Sequence, residues 1–481
     1  MIVGVLAYLG NVEYLLNRAE KRRQRKLAKK SRRLAPAGGQ PTGNTPDIQQ
    51  ALDLALRHQG AGELFEAEGI YQQILKIDPN QPVALHLLGV IAHQAGKNDI
   101  AVDLITNSLA AKPDYIEAQN TLGLAFQGLG KLDEAVSNFQ NALALKPDYA
   151  EAHYNLGNGL QDMGKLDEAV ASYHMALTIK PDYAEAHNNL GNLLQDMGKL
   201  DEAVSNFYKA LALKPDLPGV WFNLHVTLFD TADLEPAAEC LEKALEINPV
   251  FPRARFDLGI IRDYQGNAEA AAHHFERARK EADWIAFCLD SWKYVKSVAG
   301  SRPHLFGDTS VGFSLGFEAA RIDGLVLEFG VRFGTSIRQI SALANQDVHG
   351  FDSFQGLPES WHKKPRGIYT THGQLPTVPG NVHLHVGLFE DTLPSFLKKN
   401  SGSVRFANID CDIYSSTKTV LVNLADRIVP GTVLIFDEYL GNPQWREDEF
   451  KAFQEAVHEF GWRYEYLAFS LPSQQAIVLI S

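Results

Sequence analysis

Between about residues 48 and 283, apolar and small residues return on a 34-residue beat. Pro79, Pro113, Pro147, Pro181, Pro215 and Pro249 keep that spacing without a slip. Each unit holds two stretches of helical periodicity joined at a G-K-L-D turn, and the proline closes the second because it cannot continue a helix. Small residues recur where helices must approach closely. Gly89, Gly123, Gly157, Gly191 and Gly259 fall in the first stretch, and Ala67, Ala101, Ala135, Ala169, Ala203, Ala237 and Ala271 in the second. Larger residues such as Leu156, Leu160, Tyr173 and Leu177 fill the space between. A fixed period of this length predicts an α solenoid of stacked helix pairs. In the sixth unit His225 stands where the others carry glycine, so looser or shifted packing is expected there.

Past Arg277 the pattern changes. LVLEFG, VHGFD, NVHLHVG, VRFANID, TVLIFDEY, YEYLAFS and QAIVLIS read as strands. WIAFCLDSWKYVKSVAG, FSLGFEAARIDG, TSIRQISALAN, TLPSFLKK, SSTKTVLVNLADRI and REDEFKAFQEAVHEFG read as helices. Alternation of this kind predicts an α/β fold with a doubly wound, mostly parallel sheet. Its ligands should bind at the carboxyl ends of the strands. The chain therefore divides into a basic tail and linker (1–47), a solenoid (48–283) and an α/β domain (284–481).

Composition trims the options. The 481 residues carry a net charge of −13, which disfavours a nucleic-acid surface. Cys240, Cys288 and Cys411 are too few and too scattered for a disulfide framework or a cysteine zinc site, and suit a reducing compartment, taken as the cytoplasm. The opening MIVGVLAYLG is shorter than the ~20 residues that span a bilayer, and no basic region precedes it. The run NRAEKRRQRKLAKKSRR after it reads as a solvated tail, or as a patch that touches an anionic surface. APAGGQPTGNTP then reads as a linker.

The solenoid units resemble tetratricopeptide repeats, six of them and a divergent seventh. The resemblance implies a curved surface, lined by the first helices, that holds a protein or peptide partner. Asn155, Asn189 and Asn223 share one equivalent position, with Asn158 and Asn192 three residues on. Stacked at the repeat spacing they form a ladder of amides able to bond an extended peptide backbone. The alternative is that asparagine is simply a common residue of the repeat.

Chemistry concentrates where the strands end. LEFGVRFGTS puts Glu328 at a strand terminus, and Gly330 and Gly334 allow a tight turn and close ligand approach. The spacing is not GxGxxG, which weakens a dinucleotide reading. GFDSFQGLP places Asp352 at the next strand end, suited to a ribose diol. NIDCDIYSST and IFDEY bring Asp410, Asp412, Asp437 and Glu438 to neighbouring strand ends. Four converging carboxylates repel one another unless a cation neutralises them, and hard oxygen ligands suit Mg²⁺ or Ca²⁺. The alternative is a pair of helix N-caps with solvent-facing acids.

Together LEFGVRFGTSI, VHGFDSFQGLPESW, GLFEDTLPSF, IDCDIYSST and IFDEY resemble the macrocin O-methyltransferase family, over about residues 285–481. That resemblance implies a class I S-adenosylmethionine methyltransferase that uses Mg²⁺ to hold a sugar hydroxyl beside the methyl donor. It implies Asp412, Asp437 and Glu438 as metal ligands, with Asp412 also the catalytic residue that takes the hydroxyl proton. Glu328, Gly330, Gly334, Thr335, Ser336, Asp352, Ser353, Phe354 and Asp410 would hold the cofactor. The family usually has two aspartates where this chain has Asp437-Glu438, and the extra methylene shifts or loosens the ion. PESWHKKPRGIYTTHGQLPTVPG reads as a mobile lid, with Trp361 and Tyr369 either facing a sugar or packed as ordinary loop residues. His362, His372, His383 and His385 read as structural, with a general base among them as the alternative. Asp391 and Thr392 read as the cap of a helix starting at Leu393. The resulting function is an O-methyltransferase whose repeats recruit a protein or glycan acceptor. A repeat scaffold with a weak or inactive methyltransferase domain is the alternative.

Overall fold

The computed structural model describes residues 47–481. The opening apolar run, the basic run and the linker APAGGQPTGNTP lie outside the described residues. Residues up to Ile70 belong to one compact unit and Tyr71–Ser481 to another. In the first, helix Ile48–Gly60 is capped by Asp47, whose carboxylate accepts from the Gln49 amide.

The larger unit begins with the helix pairs that the 34-residue beat predicts. Pro82–Gln94 packs on Asn98–Ala111, Ile116–Gly128 on Leu132–Leu145, Ala150–Asp162 on Leu166–Ile179, and Ala184–Asp196 on Leu200–Leu213. Pro218–Thr227 and Glu235–Ile247 follow, then Pro252–Tyr264 and Ala268–Glu281. The first-helix glycines face the bulky residue of the partner helix: Gly123 faces Phe139, Gly157 faces Tyr173 and Gly191 faces Phe207. A methyl at any of them would meet that ring at 2.5–2.7 Å, so the helices pack this closely only with glycine there.

The sixth pair departs from the others as expected. His225 is fully buried, and the corresponding partner-helix residue is the smaller Leu241. The imidazole Nδ1 bonds the Phe222 carbonyl, and Nε2 lies 3.6 Å from the buried Asp257 carboxylate. The helix itself is cut to 10 residues, against 13 in its neighbours.

The α/β part is a seven-stranded sheet in the order β3-β2-β1-β4-β5-β7-β6. Its strands are β1 Leu325–Phe329, β2 Val348–Asp352, β3 Val382–Val386, β4 Val404–Ile409, β5 Val433–Phe436, β6 Tyr464–Ser470 and β7 Gln475–Ile480. The first five pair in parallel, and β7 runs antiparallel to β5 and to β6. All seven strands fall on the runs picked out by periodicity.

Both faces of the sheet are covered, so the strands are apolar on alternate sides. Val326, Phe406, Val433, Ile435 and Ile477 share one buried cluster with Phe313, Phe317, Ile337 and Ile340. Leu327, Phe329, Ala407, Ile409, Leu434 and Phe436 share the other with Trp292 and Phe453. Each large apolar side chain buried this way contributes roughly 1.5–3 kcal/mol. The second cluster also contains Phe256, Ile260 and Ala278 from the last helix pair. The helix pairs and the sheet are thus joined through continuous core. Among the described residues no helix is long and apolar enough to cross a membrane.

One helix start differs from the sequence reading. The helix carrying TLPSFLKK begins at Phe389, so Asp391 and Thr392 lie inside its first turn and do not cap it. Leu388 precedes it without a side-chain cap, and Thr392 donates to the Leu388 carbonyl. Phe389 is half-buried and packs against the core cluster that holds Phe329, which ties the helix down upstream of the polar pair.

Candidate active site

In the strand order, β1 is flanked by β2 and β4, so the connections leave it in opposite directions. This is the switch point where a crevice opens at the carboxyl ends of the strands. Register aligns those ends: Phe329 pairs with Ile409 and Ile409 with Phe436. One residue further on, Gly330, Asp410 and Asp437 come level. Gly330 has φ +95°, and a Cβ there would collide with the Asp410 carbonyl. Glycine is therefore required for β1 and β4 to meet at the crevice floor.

Glu328 lies at the base, fully buried. Its Oε1 accepts from Asn408 Nδ2 at 3.0 Å, and Oε2 has no partner. Burial pushes its pKa up to about 8. Asp352 is bonded differently. Its Oδ2 accepts from the Val331 and Arg332 amides at 2.8 Å each, and Oδ1 accepts from Phe354 N at 2.6 Å. It therefore holds the turn after β1 in place. Gly334, with φ +77°, ends that turn at the start of helix Thr335–Ala344, whose first turn carries Thr335 and Ser336. Ser353 Oγ accepts from the Gln355 amide. The Phe354 side chain is buried in the cluster with Val331 and Ile337.

Asp410 and Asp412 follow β4, and Asp437 and Glu438 follow β5. Asp412 has φ +60°, an uncommon backbone state for a non-glycine residue. Burial, and then the Asp437 charge, raise the Asp412 pKa to about 7. Burial raises Asp437 to about 6 despite a hydrogen bond from Gln475 Nε2. Glu438 rises to about 8 through burial and the neighbouring Asp437 and Asp412, and Asp410 rises for the same reasons. The four acids thus share one poorly solvated edge, as the strand pattern predicts. No three His, Cys, Asp or Glu side chains among the described residues are already gathered around a metal position.

Several residues around these acids carry no signal in the sequence pattern. Glu449 is fully buried; its Oε1 accepts from the Cys411 amide at 3.0 Å and its Oε2 is unpartnered. It braces the turn between Asp410 and Asp412. In sequence it reads as an ordinary acid in a first helical turn. Lys364 and Arg332 supply opposing charge: both favour ionised Asp412, and Lys364 also favours ionised Glu438. Lys364 Nζ sits 4.2 Å from the Trp361 ring centroid and bonds the Tyr369 hydroxyl. Only the charge run HKKPR hints at Lys364.

From the segment read as a lid, Lys364 and Tyr369 come close enough to the acids for their charges to interact. The Tyr369 pKa is raised by burial and by Asp412 and Glu438. Trp361 is 5% exposed, with its indole N–H on Asp448 Oδ2 at 3.2 Å and one face under Lys364, so it is packed as a loop anchor. His362 pairs with Asp448. His383 faces Asp347, and His385 bonds His349 and stacks on Phe351. These last two are bound to the β2–β3 edge of the sheet.

Residues 327–439 match a family described as a methyltransferase domain. Residues 128–164, 160–198, 184–217 and 227–284 match tetratricopeptide-repeat families. The chain joins tetratricopeptide repeats to a methyltransferase domain. Across 168 residues it is 30% identical to 8-demethyl-8-(2,3-dimethoxy-alpha-L-rhamnosyl)-tetracenomycin-C 4'-O-methyltransferase of Streptomyces olivaceus. That alignment covers 30% of this chain and 60% of the relative's length. Among solved structures, MamA is 30% identical with a TM-score of 0.31, covering 34% of this chain and 95% of that one. A thermophilic repeat protein of Thermus thermophilus is 27% identical with a TM-score of 0.34, covering 38% and 98%.

In the repeats, the three predicted ladder residues engage one another's neighbours. Asn155 Nδ2 donates to Asn120 Oδ1 at 3.0 Å, Asn189 Nδ2 to Asn158 Oδ1 at 2.9 Å and Asn223 Nδ2 to Asn192 Oδ1 at 2.7 Å. Asn189 also donates to the Tyr154 hydroxyl. Asn155 is 8% exposed, so its amide is largely occupied by the array itself.

Proposed function

We propose that the chain is an S-adenosylmethionine-dependent O-methyltransferase that acts on a hydroxyl of a sugar or related acceptor, with Mg²⁺ assisting. The observation that carries this reading is the crevice edge itself: Asp410, Asp412, Asp437 and Glu438 crowd one poorly solvated site, each with its pKa raised. Perturbed acids in a cleft at a switch point are the mark of a working site.

The residues fit the donor. S-adenosylmethionine, when bound, supplies an electrophilic methyl group. The unpartnered Glu328 Oε2 is a buried acceptor for its ammonium or hydroxyl groups. The Gly330 turn lets a ligand approach the backbone, and Asp352 fixes that turn through two amides. Thr335, Ser336, Ser353, Phe354 and Asp410 complete the proposed donor site. Asp412, Asp437 and Glu438 suit a hard divalent cation by donor chemistry, and they would have to draw together to hold one. In the same reading Asp412 would also take the proton from an acceptor hydroxyl. Burial excludes competing water, and holding the oxygen in line with the methyl carbon supplies much of the rate. Asn155, Asn189 and Asn223 mark the proposed partner face of the repeats. The compartment proposed is the cytoplasm, in keeping with three free, buried cysteines.

The test is transfer of a labelled methyl group from S-adenosylmethionine to rhamnosylated and other deoxysugar acceptors, with and without Mg²⁺. Transfer that survives only with Mg²⁺ supports the whole reading. A second reading, a repeat scaffold with a weak methyltransferase domain, is favoured by Glu438, which stands where the resembled family has an aspartate. Donor binding without transfer to any acceptor would support it.

A further inference from the structure

The turn glycines Gly96, Gly130, Gly164, Gly198 and Gly266 occupy one equivalent position in their repeats. At Gly96, Gly130 and Gly266 an added Cβ would meet nothing within 4 Å. At Gly164 it would meet three atoms of Phe333 at 2.5–2.7 Å, and at Gly198 it would meet Gln339 and Ser310 at 3.1–3.2 Å. The turns at Gly164 and Gly198 are therefore pressed against the methyltransferase domain. They do not touch it at random. Phe333 belongs to the turn that Asp352 holds and that Gly334 closes.

Polar contacts surround these two turns. The Arg338 guanidinium bonds Asp167 Oδ2 through Nη1 at 3.2 Å. It also donates to the Thr377 carbonyl through Nε at 3.1 Å and Nη2 at 2.6 Å. Gln339 Nε2 donates to the Asp196 carbonyl at 2.6 Å, and Gln195 Nε2 to Asp308 Oδ2 at 3.1 Å. Thr377 lies in the segment read as a lid, and its neighbours Pro376 and Val378 pack on Gly334. Arg332, next to Phe333, stacks on Phe333 at 4.7 Å and on Tyr369 at 5.1 Å. One array turn is thus connected to both the glycine turn and the covering segment through Phe333 and Arg338.

We infer that the repeat array positions the donor-binding turn and its cover, with Gly164 and Asp167 as positioning residues, so that the array regulates affinity for the methyl donor. The inference rests on the proposed donor site. Bending of the array by a partner would move turns 164–167 and 196–198 together, and the donor turn with them. Coupling of this kind needs a direct test.

That test compares Asp167→Lys with Asp133→Lys in the full chain. The two aspartates are repeat equivalents on exposed first turns, and Arg338 contacts only Asp167. Hydrogen exchange of residues 331–338 and 374–378 is read without any ligand. It should rise in Asp167→Lys and stay at the wild-type level in Asp133→Lys, while both variants keep the wild-type melting temperature. Calorimetry with S-adenosylmethionine should show binding about three- to tenfold weaker in Asp167→Lys, the scale of an exposed ion pair turned into a repulsion. Asp167→Glu, which keeps the charge, should bind as wild type does. Equal exchange in the two lysine variants, or equal loss of donor affinity, overturns the inference. A wild-type protein that binds no donor overturns the proposed function instead, and the exchange result still decides whether the array holds the turn.

Discussion

The repeats and the methyltransferase domain differ in which polar groups they bring together. In the repeats, amides of successive first helices pair with one another: Asn155 with Asn120, Asn189 with Asn158, Asn223 with Asn192. In the domain, carboxyl oxygens of Glu328 and Glu449 are buried with no partner, beside four more acids whose pKa values are raised. An unsatisfied buried polar group is destabilising by roughly 1–3 kcal/mol. Both parts retain some, with Asn188 Oδ1, His225 Nε2 and Asp257 Oδ1 among those of the repeats, but only in the domain do several acids with raised pKa values crowd the same strand ends. That crowding of acids, and not the mere presence of unpartnered groups, sets the strand ends apart from the solenoid.

The contrast can be broken most sharply at Asp412. Asp412→Ala should lower methyl transfer by about 10²–10⁴-fold, the usual range for a lost general base. Donor binding should change little. Steady-state transfer and calorimetry on the same sample check this, and unchanged transfer would return Asp412 to the merely structural acids.

A smaller effect is expected from pH. The folded pKa of Glu328, about 8, lies above its ordinary value near 4.5. Between those values the folded state binds more protons than the unfolded one, so stability falls as pH rises through the window. The melting temperature of the ligand-free protein should therefore drop from pH 5 to pH 8. Glu328→Gln, which cannot ionise, should flatten part of that slope. A steeper slope in the variant would contradict the assignment of the buried carboxyl.

Asn189→Ala should have the smallest effect. Its amide bonds Asn158 and Tyr154 across the repeat interface, and loss of such bonds destabilises by about 0.5–1.5 kcal/mol. Urea unfolding measures this. Donor affinity should be unaffected, because the Asn189 side chain bonds to residues of the repeats.

Much of this architecture is legible in the sequence, for definite reasons. The repeat spacing is local, so Gly157 and Tyr173 announce their contact within one unit. The strands are short apolar runs bounded by turns, and parallel pairing follows from the intervening helices. The acids at the strand ends can be read because chain order puts Asp410 and Asp437 on adjacent strands. What cannot be read depends on distance along the chain. Glu449 meets Cys411 from 38 residues away, and Arg338 meets Asp167 from 171 away. Neither partner carries a local signature. The helix start at Phe389 is hidden because the contact of Phe389 with Phe329 is made across the fold, 60 residues away in the chain, while Asp391 and Thr392 offer a local cap signal. The continuity of core between Phe256 and the sheet is hidden too, because periodicity marks where a repeat ends and says nothing of what it packs against.

The central claim is that the crevice between β1, β4 and β5 is a methyl-donor site edged by acids that need a cation. Titration of S-adenosylmethionine into the full chain, with and without Mg²⁺, in wild type and Glu328→Gln, tests it most directly. The account predicts saturable one-site binding in wild type, weakened in Glu328→Gln. Absence of donor binding in wild type under both conditions would contradict it.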